Sequence, residues 1–178
     1  MNLHAKILTV SESVSLGARE DRSGDELTRV LVGHGFRVVD RRVVPDGTAP
    51  VSAALVELST GFTGLVVTTG GTGFSPTDVT PEATRAVLER EAPGLAEAMR
   101  SVSPLGRLSY GVAGTVGGCL ILNVPGSPSG AVESLEAVVD VLGHALELLA
   151  GGRHTDRRHQ DVGAAPKCCD RGETCAVP

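Results

Sequence analysis

What most constrains this chain is the alternation of short apolar runs with segments of helical period. Residues 3–11, 36–44 and 64–68 are rich in Val, Leu and Thr, as β-strands are. Between the first two, Leu27, Val30, Leu31 and His34 recur at helical spacing, and 49–60 follows the second as another helix. Parallel neighbours can be joined only through a crossover, so this alternation specifies a mainly parallel sheet. The expected fold is α/β, a three-layer sandwich with helices on both faces of the sheet. Rings contribute little to its core: the chain has three Phe, one Tyr and no Trp among 178 residues. Val, Leu, Ile and Ala must fill it.

Local signals refine this outline. Residues 12–22 read as a polar loop. Ser23-Gly24-Asp25-Glu26 reads as a capping box, with Ser23 at the N-cap and Glu26 three residues on. Thr80-Pro81-Glu82 places an N-cap, a first-turn proline and an acid at the start of a helix. Pro93-Gly94 interrupts that helix, and a second piece runs to about Val102. Residues 110–116 and 119–124 form two strands joined at Gly117-Gly118, as in a hairpin. From Val132 to Leu149 the apolar positions keep one helical stripe, ended by Gly151-Gly152. Residues 1–152 are therefore expected as one domain, and 153–178, which lack periodicity, as a disordered tail.

Composition excludes several function classes. Sixteen basic and 21 acidic residues give a net charge of −5, against general binding to nucleic acid or anionic membranes. Scarce rings argue against stacking platforms for single strands. No apolar run reaches the length of a membrane span, and the N-terminus lacks a signal-peptide layout. Cys119 stands alone in an apolar run as a small buried hydrophobe, while Cys168, Cys169 and Cys175 cluster in the tail. This pattern reads as a reduced, cytoplasmic protein. The tail's His154 and His159 with its cysteines lack common zinc spacing, and His4, His34 and His144 fall in strand or helix patterns.

Three motifs carry chemistry. Thr69-Gly70-Gly71-Thr72-Gly73 follows a strand directly, and its glycines let backbone N–H groups converge on an anion such as phosphate. No Lys follows them, so it is not a P-loop, and no third Gly completes a dinucleotide fingerprint. Asp46 and Asp78 lie on loops expected at strand C-termini. Carboxylates beside a phosphate nest make sense with Mg²⁺ between them, since Mg²⁺ takes one or two carboxylates plus phosphate oxygens and waters. Asn123-Val124-Pro125-Gly126-Ser127-Pro128 leads into the last helix and can present a second anion site at its N-terminus.

Together these residues resemble the MogA/MoaB-type family of molybdenum-cofactor biosynthesis. The likeness is carried by Thr68 to Gly73, then Asp78-Val79-Thr80-Pro81-Glu82-Ala83, Glu91-Ala92-Pro93-Gly94, and Asn123 to Pro128. Thr9-Val10-Ser11, Asp21-Arg22-Ser23-Gly24 and Val44-Pro45-Asp46 extend it over about residues 5–150. The resemblance implies a molybdopterin-binding, MogA-like fold, a homotrimer, and a molybdopterin adenylyltransferase. Such an enzyme moves AMP from Mg-ATP to the terminal phosphate of molybdopterin, releases pyrophosphate, and can hand its product to a molybdate-inserting enzyme. It implies Asp46 and Asp78 as catalytic and Mg²⁺-binding residues, and Gly70, Gly71, Thr72 and Gly73 at the nucleotide phosphates. Ser11, Asp21, Ser23, Ser109, Asn123, Pro125, Gly126 and Ser127 would bind substrate. A non-catalytic molybdopterin-binding paralogue is the alternative. The chain departs from the family at Glu12, where Asp is common, and at Tyr110 and Val116, where Arg is usual.

Overall fold

In the computed structural model, residues 3–151 are described. The expected tail, with its cysteines and histidines, lies outside them. Strand β1 (Leu3–Val10) is followed by a single turn, α1 (Glu12–Ser15), and by α2 (Arg22–Gly33). Then come β2 (Phe36–Val44), α3 (Thr48–Ser59), β3 (Gly64–Thr69), α4 (Thr80–Arg85) and a two-residue strand β4 (Arg90–Glu91). The chain continues through α5 (Pro93–Ser101), a 3-10 turn at Pro104–Leu108, β5 (Ala113–Val116) and β6 (Cys119–Val124). It closes with α6 (Pro128–Glu136) and α7 (Val139–Leu149).

The six strands form one sheet in the order β2-β1-β3-β6-β5-β4. The first four are parallel; β5 runs antiparallel to β6, and the edge strand β4 antiparallel to β5. The chain leaves β1 toward β2, then returns to β3 on the other side of β1. The strand order therefore reverses between β1 and β3, and in open α/β sheets such a reversal opens a crevice beyond the strand C-termini.

Each central strand alternates its side chains between two cores, the mark of a sheet covered on both faces. Ile7, Leu65, Val67, Leu120 and Leu122 pack under α2, α5, α6 and α7, beside Leu27, Leu31, Leu135 and Leu142. Leu8, Val66, Cys119 and Ile121 point the other way, against Val51, Leu55 and Leu58 of α3 and Ala83 of α4. This is the expected three-layer arrangement, built almost entirely from aliphatic side chains.

Several local expectations need correction. The N-cap of α2 is Asp21, not Ser23: its Oδ1 accepts the Gly24 N–H at 3.0 Å, while the Ser23 hydroxyl donates to that same carboxylate. A carboxylate both accepts the orphan N–H and offsets the helix dipole, so it outranks a hydroxyl two residues later. Helix α4 is capped by Val79 without a side-chain bond, because the Thr80 N–H is drawn to the Gly71 carbonyl at 3.0 Å. Residues 12–22 contain α1, and the helix expected to run from Thr80 to Pro93 ends at Arg85, with β4 between it and α5. The final stripe bends at Ala137–Val138 into two helices. No Pro or Gly marks that bend; it keeps Leu135, Val138, Val139 and Leu142 all in one core.

Two polar side chains, buried Asn123 and half-buried Asp21, tie the layers together. The Asn123 side chain accepts from the Val112 N–H and donates to the hydroxyls of Thr68 (2.9 Å) and Thr84 (3.0 Å). The Asp21 carboxylate receives the Thr9 hydroxyl, the Gly24 N–H and Arg41 Nη2 at 2.9 Å. Burial draws the Arg41 guanidinium down, yet its bonds to Asp25 and Asp21 more than offset this and hold it above its ordinary value.

Replacing Asn123 with Ala strips partners from buried groups and should cost roughly 2–4 kcal/mol, read as a lower urea midpoint at unchanged slope. Burial pushes the Cys119 thiol up to about 12, against a weaker opposing pull from Lys6. The unfolded thiol ionises near 9, so the unfolded state loses its proton first and stability should fall as pH rises from about 9 toward 12. Urea titrations of wild type and Cys119→Ala should diverge across that window and nowhere below it.

Candidate active site

The crevice at the strand reversal is a real cleft, about 230 Å³ in volume. Its floor is the C-terminal end of β1 (Thr9, Val10, Ser11) beside that of β3 (Thr69, Gly70, Gly71). Gly126 and Pro128 close it from the β6 side, Asp46 from beyond β2, and Val14, Arg19, Glu20, Arg22 and Ser23 from the segment linking β1 to α2.

The floor is bare backbone for a geometric reason. Gly70 and Gly71 have φ of +100° and +61°, a region that side chains rarely enter. A Cβ on Gly70 would stand 2.2 Å from the Val10 carbonyl oxygen, and one on Gly71 2.4 Å from Thr80 Oγ1. Gly126 packs on the opposite side, where its Cβ would come within 3.1 Å of Gly70 Cα. Gly70 spends its N–H on the Val124 carbonyl. The N–H groups of Gly71, Thr72 and Gly73 have no hydrogen-bond acceptor among the described residues. Consecutive unspent donors that follow a turn through left-handed backbone, as at Gly70 and Gly71, suit an anion nest.

Asp46 enters the cleft with its Oδ2 accepting the Glu12 N–H at 2.9 Å, which locks the turn after β2 to the start of α1. Asp78 lies outside the cleft lining, on the loop that follows the glycines. Its Oδ2 accepts the Ser75 N–H at 3.0 Å and lies 2.9 Å from where a Gly73 Cβ would stand. Neither Oδ1 has a partner among the described residues. No group of three or more His, Cys, Asp or Glu among them could hold a metal ion. The spare Oδ1 atoms are of the donor type that Mg²⁺ arriving with phosphate takes from one or two carboxylates.

The other sequence-predicted residues fall into three groups. Ser11 and Ser23 line the cleft; Ser11 also caps α1, accepting the Val14 N–H. Asp21, Asn123, Pro125 and Ser127 act on the fold around it. Asp21 and Asn123 are committed to the bonds described above, the Pro125 carbonyl accepts the Thr69 hydroxyl at 2.7 Å, and Ser127 caps α6. Ser109 lies apart, beyond the glycine loop, in a second cavity. Thr72 is buried, its carbonyl accepting the Tyr110 N–H at 2.8 Å. Sequence reasoning missed Arg19 and Arg22. Only their charge in an otherwise small and polar loop could have marked them.

With this geometry in hand, comparison with known proteins is informative. A family model described as "Probable molybdopterin binding domain" matches residues 6–144. The chain is 35% identical over 156 residues to a Helicobacter pylori protein named molybdopterin adenylyltransferase, covering 84% of this chain and 89% of that one. An Escherichia coli protein of the same name is 37% identical over 152 residues, covering 81% and 77%. Among solved structures, the molybdopterin biosynthesis enzyme MoaB of Thermus thermophilus superposes with a TM-score of 0.80 at 48% identity, over 84% of this chain and 97% of that one. The Mog protein of Mycobacterium ulcerans gives 0.78 at 41%, over 85% and 99%.

Gly70→Ala should lower the melting temperature by several degrees, since left-handed backbone and the Val10 contact together cost roughly 2 kcal/mol or more. Gly94→Ala, whose Cβ meets nothing within 4 Å, is the control and should melt near wild type.

Proposed function

The chain belongs to the molybdopterin-binding family of molybdenum-cofactor biosynthesis proteins, and on that premise we propose that it transfers AMP from Mg-ATP to the phosphate of molybdopterin. The products are adenylyl-molybdopterin and pyrophosphate. One observation carries this reading: at the strand reversal, a bare glycine turn that includes Gly71, whose N–H is unspent, lines the same cleft as a carboxylate, Asp46. A nest alone binds phosphate; a nest with acids suits phosphate that brings its own Mg²⁺.

The reacting groups are all anionic. Attack by the molybdopterin phosphate on the α-phosphate of ATP brings like charges together, so the barrier is mainly electrostatic. Gly71, Thr72 and Gly73 hold the nucleotide phosphates through N–H groups fixed before substrate arrives, which costs no reorganisation during reaction. Asp46 and Asp78 are the residues that would hold Mg²⁺, each with one oxygen left without a partner among the described residues. Bound there, the ion would supply neutralisation of phosphate charge. Ser11, Ser23 and Gly126 shape the cleft wall. Asp21, Asn123, Pro125 and Ser127 position that wall, and Ser109 serves the pterin side. At about 230 Å³ the enclosed space is below the usual 300–1,000 Å³ of a ligand site. It suits a phosphate chain, with the base lying along the open side.

The domain is 1–152, with 153–178 as an appended tail. The family likeness supports a homotrimer, tested by sedimentation at three times the chain mass, and a hand-off to a molybdate-inserting enzyme. A cytoplasmic location belongs to the same reading, and no described helix is long and apolar enough to cross a membrane.

Purified protein with Mg-ATP and molybdopterin should form adenylyl-molybdopterin. Asp46→Asn and Asp78→Asn should each lower kcat by roughly 10²–10³ while pterin binding survives. Pterin bound by the wild type without any adenylated product would instead establish the non-catalytic paralogue.

A further inference from the structure

Behind the glycine turn stands a residue with no part in the reaction described above. Thr80, the first residue of α4, is fully buried. Its Oγ1 is the one buried side-chain oxygen or nitrogen among the described residues that has no hydrogen-bond partner. A buried hydroxyl left unbonded destabilises the fold that holds it, and such atoms are rare in native proteins.

The rest of Thr80 is firmly tied. Its N–H donates to the Gly71 carbonyl at 3.0 Å. Its own carbonyl accepts the Thr84 hydroxyl at 2.8 Å, and Thr84 Oγ1 in turn accepts from the Asn123 side chain at 3.0 Å. The hydroxyl thus stands at the open end of a chain of buried hydrogen bonds that starts on β6. It occupies the place that a side chain on Gly71 would need, so it packs directly against the backbone of a residue lining the cleft.

The Gly71 carbonyl can accept this hydroxyl. Among the described residues it takes one backbone hydrogen bond, from the N–H of Thr80 itself, and a carbonyl oxygen has two lone pairs. The same peptide unit carries the Thr72 N–H, one of the unspent donors of the turn. A hydrogen bond received at the carbonyl of a peptide polarises the unit and strengthens its N–H as a donor. A small shift of the turn that closes the hydroxyl onto Gly71 therefore sharpens Thr72 toward an anion. The coupling is reciprocal: an anion drawn to Thr72 favours the arrangement in which the hydroxyl is bonded.

We propose that Thr80 is a positioning residue for phosphate, its hydroxyl unbonded in the free protein and bonded to the Gly71 carbonyl when an anion occupies the turn. This rests on the reading of Gly71 to Gly73 as the site of the nucleotide phosphates. It adds that the free protein holds one buried hydrogen bond in reserve, which ligand binding completes.

The test uses the full-length protein and inorganic pyrophosphate with Mg²⁺, without pterin and without any transfer step. In wild type the Thr72 amide resonance should shift saturably, and the Gly71 carbonyl carbon should move downfield as it gains a second donor. Thr80→Val keeps the shape and removes the hydroxyl. Without ligand it should melt about 2–4 °C above wild type, because an unbonded buried hydroxyl is gone. It should nevertheless bind pyrophosphate about tenfold more weakly and lose the Gly71 carbonyl shift. Thr80→Ser restores the hydroxyl but leaves a methyl-sized gap, so it should melt below wild type and yet bind within about twofold of it. A residue that only supports the fold does not give opposite signs in melting and binding, nor is its binding rescued by the less stable variant. Saturable shifts in wild type with equal binding by Thr80→Val would overturn the proposal and leave the phosphate reading of the turn intact. Absence of any shift at Gly71 to Gly73 in wild type would overturn that reading and the proposal with it. A Thr80→Val protein that melts below wild type would mean a hydroxyl already bonded in the free state, which also overturns the proposal.

Discussion

The whole site rests on how closely three backbones approach one another at Gly70. The Val10 carbonyl, the Gly70 turn and Gly126 are packed so tightly that a single methyl group on Gly70 would overlap an oxygen of β1. That contact brings the C-terminal ends of β1, β3 and β6 to one point. It also leaves the cleft floor without side chains, so the groups presented to a ligand are peptide dipoles. Dipoles of this kind are fixed by the fold and cannot be neutralised by a change of protonation, which suits the phosphate-binding role proposed for this cleft.

Around that floor, polar side chains divide into those that serve the fold and those left available. Asn123 and Asp21 have every strong hydrogen-bonding position occupied by protein partners. They hold the sheet to the helices and set where the cleft walls stand. Asp46 and Asp78 each commit one oxygen to a neighbouring N–H and keep the other. That half-commitment orients a carboxylate without exhausting it. It separates these two acids from Asp21, which lies beside the cleft but has nothing left to offer.

Electrostatics is arranged in two centres. The cleft combines backbone donors with acids and therefore suits phosphate that carries a cation. The second cavity is lined instead by Arg85, Arg100 and Arg107 with Glu97. The cavity's Tyr110 is tied to the glycine loop by its N–H to the Thr72 carbonyl. In a chain nearly devoid of rings, Phe74 and Tyr110 meet on this wall rather than in the core.

Much of this was legible in the sequence, and the reason is locality. Period-two and period-3.6 patterns report which face of a strand or helix is buried. A run of glycines after a strand reports backbone that must bend or be approached. Hence the α/β class, the hairpin at Gly117-Gly118, the nest and the acids Asp46 and Asp78 could be named from the residues alone. Capping was misjudged at Ser23 because the true cap, Asp21, is secured by Thr9 and Arg41, which are distant in sequence. The bend at Ala137–Val138 carries no local signal; the shape of the core imposes it. Only the tertiary structure set Asp46 in the cleft and Asp78 outside its lining, brought Arg19 and Arg22 to its rim, and gathered Arg85, Arg100 and Arg107 around one cavity. Those placements depend on strand order and helix docking, which join residues tens of positions apart and leave no periodic trace along the chain.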